Sequence, residues 1–430
     1  MRSDPGPRDA GSVAAPVELL PNLGAEEGSD WGALRSEPRV RAAARLWSLL
    51  FSGESRLRFP GSSVGATWSQ EFCRDLWPAA LGPIPAKPVF DWLSTNDGAT
   101  AWLNTLSVER DAHTFSDSGL SGPRPDCVSQ VHDKAFSVTA ARELGLHTRD
   151  VEAMVQILEP EALRSPDRLV EALDTALRDW PDWTRQAFTL KPRFGSSGRG
   201  RVAGIESLDH ESIRGAFLRL AKRGGALFEP WLSRQSDLSV SLLVPSPNQP
   251  EAPTTILGTL EMLVTGSGAY RGHCGEVDSR GRVFSGHRDD ETLRADAASV
   301  ANLAKKRGFF GPCGVDAFTY LEAGRERLRS LAEFNGRMTM GGVTIGLVRR
   351  ALPQVRKRLD LTPGDRCGFA LVFIDSRNEP AFDELARSSH ADTFVMDLSS
   401  PGFESEVKPV LIFDSERDRL RESLRQIFSF

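Results

Sequence analysis

Apolar residues recur at helical spacing at Val40, Ala43, Ala44, Leu46, Trp47 and Leu50, which predicts an amphipathic helix over Val40–Phe51. The same period returns in Asp133–Leu146, with Asp133 near its start and Gly145 near its end, and in Pro166–Trp180, through Leu169, Ala172, Leu173 and Leu177. Further helices are expected at Ser207–Arg223, Glu291–Gly308, Gly342–Leu359 and Ser415–Phe428. Pro353 should kink or break the third of these, because proline removes a helix donor and clashes with the preceding turn. Short apolar or alternating runs predict strands at Leu57–Pro60, Lys87–Trp92, Ala226–Glu229, Asp237–Val244, Thr255–Val264, Val315–Leu321, Leu328–Phe334, Phe369–Ile374 and Pro409–Phe413. Ser69–Leu76 reads as a helix. The glycine loop Gly61–Gly65 before it reads as a strand–helix turn or as a loop facing a ligand. Residues 1–36, rich in Pro, Gly, Ala, Glu and Ser, are expected to be a disordered or loosely attached arm. With a linker at Gly119–Cys127, the chain divides into a small α/β domain (37–125), a central domain (126–350) and a C-terminal helix with an α+β lobe (351–430).

The 430 residues suffice for two or three domains with a substantial core. Hydrophobic residues make up 40% and charged residues 26%, ordinary for a globular protein. The net charge of −5, with acids and bases interspersed, argues against a nucleic-acid or membrane-surface partner. No apolar run approaches the roughly 20 residues that span a bilayer. The first residues carry no apolar signal core, so a cytoplasmic location is expected. The five cysteines are scattered, with no CxxC pair to suggest zinc or a disulfide framework.

Three stretches carry candidate chemistry. In Phe188–Val202, an apolar run leads through Lys191 into Gly195, Ser196, Ser197, Gly198 and Gly200, and Arg201–Ile205 follows as a second short strand. Glycines allow close backbone approach to a ligand, and backbone N–H groups with serine hydroxyls can surround phosphate oxygens. The stretch reads as a phosphate flap or as a polar surface hairpin. It is neither a Walker loop nor a dinucleotide fingerprint, since both open a helix.

In the second stretch, Glu333 and Asn335 alternate on one strand face, beside a neighbouring strand that carries Asp316. Two carboxylates and an amide oxygen suit magnesium bridging nucleotide phosphates, or form a solvated sheet face. In the third, Glu229, Trp231 and Leu232 at a strand end, followed by Asp237, could bound a purine and meet a ribose; an ordinary strand exit is the other reading. Arg271-Gly272-His273 either enters the site, with Arg271 on a phosphate or carboxylate and His273 as a general base, or is a simple loop. The basic run Arg349, Arg350, Arg356, Lys357 and Arg358 reads as a solvated helix face or an anion site.

Taken in order, these stretches resemble the ATP-grasp superfamily over about residues 126–350. Asp133-Lys134 with the helix after it looks like the family's segment before the first nucleotide subdomain. Lys191 and the Gly195–Gly200 loop look like its second lysine and flexible phosphate loop. Glu229, Trp231, Leu232 and Asp237 look like its hinge and ribose contact. Asp316 with Glu333, Asn335 and Arg337 looks like its metal strand pair, ending in the Glu-x-Asn-x-Arg of carboxylase-type members. The resemblance implies an ATP-grasp fold of two α+β subdomains gripping ATP, preceded by a small α/β domain and followed by an α+β lobe.

The activity implied is an ATP-dependent carboxylate–amine ligase. It would form an amide or peptide bond through an acyl phosphate and release ADP and phosphate. The alternatives are a carboxylase or phosphoryl transferase on the same fold, or a non-catalytic ATP-binding protein. ATP would be held by Lys134, Lys191, Gly195, Ser196, Ser197, Gly198, Glu229, Trp231, Leu232 and Asp237. One or two Mg2+ ions, or Mn2+ in their place, would sit on Asp316, Glu333 and Asn335, with Arg337 or Arg271 steadying the intermediate. The implied partners are a small carboxylate and an amine, an amino acid or peptide among them, and a second copy of the chain in a homodimer. Two departures stand out. The interval from Asp316 to Glu333 is a few residues longer than in D-alanine–D-alanine ligases, and Gly314 stands where those ligases carry an arginine.

Overall fold

The computed structural model describes residues 16–26, 37–59, 69–94, 98–114, 116–195, 198–265, 268–388, 392–401 and 406–428. Ser196, Ser197 and the Gly61–Gly65 loop lie outside them.

The chain begins with β1 (Glu18–Leu20), α1 (Pro38–Ser48), β2 (Arg56–Phe59), β3 (Ser69–Phe72), β4 (Thr100–Ala101) and α2 (Leu106–Ala112). These strands form a sheet in the order β3-β2-β1-β4, with β1 parallel to both its neighbours. Glu18–Leu20 falls inside the stretch expected to be an arm. Leu19 and Leu20 are buried, and Arg56 donates to Glu18 at 3.0 Å, so this segment is a central strand despite its Pro- and Gly-rich surroundings. Two other expectations differ. Ser69–Phe72 is a strand paired antiparallel to β2 rather than the start of a helix, and Lys87–Trp92 forms bends and a 3-10 turn.

Next come α3 (Pro125–His132), α4 (Lys134–Leu144), α5 (Arg149–Met154), β5 (Gln156–Leu158), α6 (Pro160–Leu163), α7 (Pro166–Arg178), β6 (Ala187–Pro192), β7 (Val202–Ile205), α8 (Glu211–Lys222) and β8 (Ala226–Pro230). Their strands make an antiparallel sheet, β5-β8-β6-β7, with its own core around Phe188, Phe228, Phe217 and Leu173. Asp133 Oδ1 accepts from Ala135 N at 2.9 Å and caps α4, and Gly145 closes that helix with φ 64°.

The rest of the chain builds one nine-stranded sheet. Its elements are β9 (Arg234–Val244), β10 (Thr255–Val264), β11 (Tyr270–Asp278), β12 (Val283–Phe284), α9 (Asp290–Lys306), β13 (Gly311–Glu322), β14 (Arg325–Asn335), α10 (Met340–Arg358), β15 (Arg366–Asp375), α11 (Glu379–Ser388), β16 (Thr393–Asp397), β17 (Val407–Asp414) and α12 (Arg417–Phe428). The order is β14-β13-β9-β10-β12-β11-β15-β17-β16, and β10 also pairs directly with β11. The C-terminal strands therefore extend the central sheet, and α10 runs on through Pro353. Both sheet subdomains of the expected α+β architecture are present.

The N-terminal unit docks on α10. Arg350 Nη2 donates to the carbonyls of Leu50, Phe51 and Lys87 at 3.1, 3.1 and 2.8 Å. Gly346 has no side chain to meet Leu50, so α10 and the segment after α1 approach closely. One core then runs from Leu19, Trp47 and Trp102 to Val240, Val315 and Ile345. No helix among the described residues is long and apolar enough to cross a membrane.

Candidate active site

The β6–β7 hairpin stands over the large sheet, and between them lies a cleft of about 250 Å³. Lys134, Lys191, Gly195, Gly198, Asp237, Asp316, Glu333, Asn335 and Arg337 all line it. Lys134 and Arg337, 203 positions apart, thus meet in one cleft, and α4 and the hairpin share a base. Arg193 Nε donates to both carboxylate oxygens of Asp133 at 3.0 Å, and Lys134 N donates to Arg193 O at 3.2 Å. The Asp133-Lys134 pair therefore caps a helix, holds the hairpin base and aims one amine into the cleft. Gly198 and Gly200, with φ 70° and 75°, turn the loop through the left-handed region that side chains resist.

The floor is the β13–β14 pair. Asp316 stands directly opposite Glu333, and Asn335 Nδ2 donates to Asp316 Oδ2 at 3.0 Å. The register then shifts, so that Phe318 faces Arg329. That irregularity absorbs part of the long interval noted above and leaves the two carboxylates in step. Burial, reinforced by the charge of Glu333, pushes the Asp316 carboxyl up to about 7. Two adjacent carboxylates with an amide, one of them reluctant to ionise, are a donor set that a hard dication fits. Glu333, Asn335 and Asp316 would hold Mg2+ or Mn2+. No group of three or more His, Cys, Asp or Glu gathers for a metal among the described residues. Lys134 Nζ lies 3.0 Å from Glu333 Oε1.

Lys191 points across the cleft wall to Glu229, which Arg329 Nη2 also meets, at 2.7 Å. Glu229 is 2% exposed and does not line the cleft. Burial alone would raise its pKa, but the Arg329 and Lys191 charges outweigh this and hold it far below the carboxylate range. Burial lowers Lys191, and Glu229 offsets that in part.

The hinge residues are placed differently from the expectation. Leu232 is buried in the core of the small sheet, and Trp231 is covered by Arg201 and Arg234, whose guanidinium carbons lie 4.2 and 5.3 Å from its ring. Neither residue lines the cleft. Asp237 does, paired with Arg234 at 2.6 Å.

Arg271 is also displaced from the expected role. Residues 270–278 form β11 rather than a loop, and a bulge against β10, where Leu263 pairs with Gly272 and Val264 with Tyr270, leaves Arg271 as the extra residue, 3.4 Å from Asp375 and outside the cleft. Tyr270 and His273 line the cleft instead, with Tyr270 Oη 2.7 Å from His273 Nδ1. Burial pushes His273 down to about 3, so it is a neutral imidazole. Arg337 reaches the cleft and lies 3.2 Å from Glu26. Sequence reasoning missed Arg234, Tyr270 and the start of α10 at Thr339–Gly341, all on the cleft wall. A Thr-Met-Gly-Gly run after the Glu-x-Asn-x-Arg motif was the available signal for the last.

No family model matches the chain, and no curated protein matches it. Among solved structures it is similar to the N5-carboxyaminoimidazole synthase of Aspergillus clavatus in complex with ADP and 5-aminoimidazole ribonucleotide, at 15% identity over 77% of this chain and 81% of that one, with a TM-score of 0.45. It is similar to an ADP complex of N5-carboxyaminoimidazole ribonucleotide synthetase, at 13% identity over 76% and 79%, with a TM-score of 0.47. The biotin carboxylase domain dimer of the Hydrogenobacter thermophilus 2-oxoglutarate carboxylase, bound to MgADP and bicarbonate, matches at 12% identity over 95% and 89%, with a TM-score of 0.49.

Proposed function

We propose that the chain is an ATP-grasp enzyme that joins a carboxylate to an amine at the expense of ATP, releasing ADP and phosphate. The observation that carries this reading is the meeting of Lys134, Lys191, Asp316, Glu333, Asn335 and Arg337 in one cleft beneath a glycine hairpin. Lysines on either side suit phosphate oxygens, and paired carboxylates on the floor suit the cation that accompanies them.

The substrate carboxylate attacks the γ-phosphorus of ATP. A new O–P bond forms, the bond to the bridging oxygen breaks, and ADP leaves with that electron pair. The amine nitrogen then attacks the acyl carbon, the C–O bond to phosphate breaks, and the proton lost from nitrogen leaves with phosphate or to water. Phosphoryl transfer of this kind is positioning and charge neutralisation. Lys134 and Lys191 hold phosphate oxygens, and Arg337 steadies the oxyanion of the second step. A bound dication supplies further neutralisation of the phosphate charge. The hairpin excludes water from an acyl phosphate that hydrolyses easily.

The test is incubation with ATP, Mg2+ and pooled carboxylic acids, bicarbonate included, with hydroxylamine as the trap. ADP together with an acid-dependent hydroxamate supports the ligase; AMP and pyrophosphate as the products oppose it.

A further inference from the structure

A cavity of about 810 Å³ lies between the N-terminal unit and the ends of β9 and β13. That is the size of a small-molecule pocket. Trp47, Trp92 and Trp102 wall it from the N-terminal unit, and Leu243, Phe309 and Phe310 from the large sheet and its loops. Among the described residues that line it, only Asp91 and Arg337 carry charge, and Asp91 is exposed. Exposed Asn248 and Gln249, on the β9–β10 connection, mark its outer end. The inner end is buried. Trp102 is 4% exposed, its ring centroid lies 5.7 Å from that of Trp47, and Arg337 Cζ stands 5.8 Å from the Trp102 ring.

One polar group in this wall has a fixed direction. Asn104 is 8% exposed, and its Nδ2 donates to the carbonyls of Ser121 and Pro123 at 3.0 and 2.8 Å. Both amide hydrogens are thereby used. Oδ1 receives no donor among the described residues and is not sealed off, so it offers an acceptor to the cavity that Asn104 lines. The segment is rigid, because the Asn22 side chain bonds both backbone groups of Leu103, at 2.6 and 3.0 Å.

Arg337 lines this cavity and the cleft alike. Around it, Gly336 and Met338 line the cavity, and Asn335 and Thr339 line the cleft, so the two spaces adjoin at its guanidinium. Nη1 donates to Met338 O at 3.0 Å and Nη2 pairs with Glu26 at 3.2 Å. Each of these nitrogens carries a second N–H.

We propose that this cavity holds the body of the carboxylate substrate, and that the substrate is an aromatic acid. Its ring lies among the tryptophans and phenylalanines, a ring hydroxyl or N–H donates to Asn104 Oδ1, and its carboxylate meets Arg337 at the edge of the cleft. Ring-on-ring contacts add to what burial of the area gives. A donor on the acid satisfies an acceptor that is otherwise unpaired. Walls with so little charge disfavour a body that carries an ammonium or phosphate group, which would be buried without a counter-charge. The inference rests on the ligase reading for the fate of the carboxylate, though the cavity is tested by binding alone.

The experiment is saturation-transfer NMR on the full chain with ADP and Mg2+. The probes are benzoate, 4-hydroxybenzoate, cinnamate and indole-3-carboxylate, with their uncharged amides, cyclohexanecarboxylate and acetate as comparators. At least one aromatic acid should bind, about tenfold or more tighter than its amide and than acetate. Ala252→Trp, on the exposed connection, fills the cavity and should weaken that acid by about tenfold while ADP binding, the sign of a folded variant, persists. Phe310→Leu keeps an apolar wall without the ring and should weaken the aromatic acid more than cyclohexanecarboxylate. No binding by any aromatic acid, equal binding of its amide, or unchanged binding to both variants would overturn the proposal. The acid that binds is then given ATP and hydroxylamine, and its hydroxamate is the expected product. Hydroxamate from aliphatic acids alone keeps the ligase and sinks this inference. No hydroxamate from any acid, with the aromatic acid still bound in the cavity, sinks the ligase reading instead.

Discussion

Lys134 Nζ stands 3.0 Å from Glu333 Oε1 and donates to the carbonyl of Gly195 at 2.7 Å. One amine thus ties the floor of the cleft to the loop above it, from the first turn of a helix whose cap, Asp133, holds the hairpin base. Lys134→Ala cuts that tie. Amide exchange across Gly198–Arg201 should rise by about tenfold, and ADP affinity should fall by a similar factor. Exchange measured by mass spectrometry and ADP titration check the two effects.

Glu229 is shared by two buried cations, Lys191 and Arg329. Glu229→Gln leaves both without a counter-charge and should destabilise the protein by about 3–5 kcal/mol at neutral pH, read by urea unfolding. The pH dependence has a definite sign. The folded pKa of Glu229 lies below its ordinary 4.5, so its contribution is full above that value and is lost as pH falls through the folded one. The unfolding curves of wild type and variant should therefore draw together below about pH 4.

His132 is buried, and neither ring nitrogen has a hydrogen-bond partner among the described residues. Burial, reinforced by Arg337, pushes it down to about 4 from 6.5. Between those values the unfolded chain takes up a proton that the folded one refuses, so stability falls as pH drops from 6.5. His132→Phe should be neutral to stabilising at pH 7, since it replaces an unsatisfied ring by an apolar one, and should flatten that acid slope. Urea unfolding across this range is the check.

Asp316 and Glu333 oppose each other across β13–β14, and the Asp316 carboxyl is pushed up to about 7. Asp316→Asn removes a like-charge contact. Stability at pH 8 should rise by about 1 kcal/mol while Mg2+-dependent ATP turnover falls about a hundredfold. A variant that lost both together would place Asp316 in the scaffold alone.

Much of the fold was legible because its elements carry clean periods. The β9 alternation and the caps of α4 appear where the residues put them, and so does the α7 face through Leu169, Leu173 and Leu177, with Val170 buried where Ala172 was expected. The errors have local causes. Glu18–Leu20 is too short to announce itself within a Pro- and Gly-rich stretch, and only pairing with β2 and β4 makes it a strand. Tyr270–Asp278 reads as a loop because Gly272 and Gly275 interrupt it. Both glycines are there because neighbouring backbone, Leu371 O and Phe284 O, leaves no space for a side chain. At the site, the lysines and the β13–β14 floor were readable from residue type and alternation. The positions of Glu229, Trp231 and Arg271 were not, since each is set by a partner far away in sequence: Arg329, Arg201 and Asp375.

The central claim is that a carboxylate oxygen attacks the γ-phosphorus. Once the pooled assay has identified the acid, the reaction is run with that acid labelled by 18O in its carboxylate, and the products are read by mass spectrometry. The expected result is one labelled oxygen in inorganic phosphate alongside ADP. Label appearing in AMP, or phosphate released without label, would contradict it.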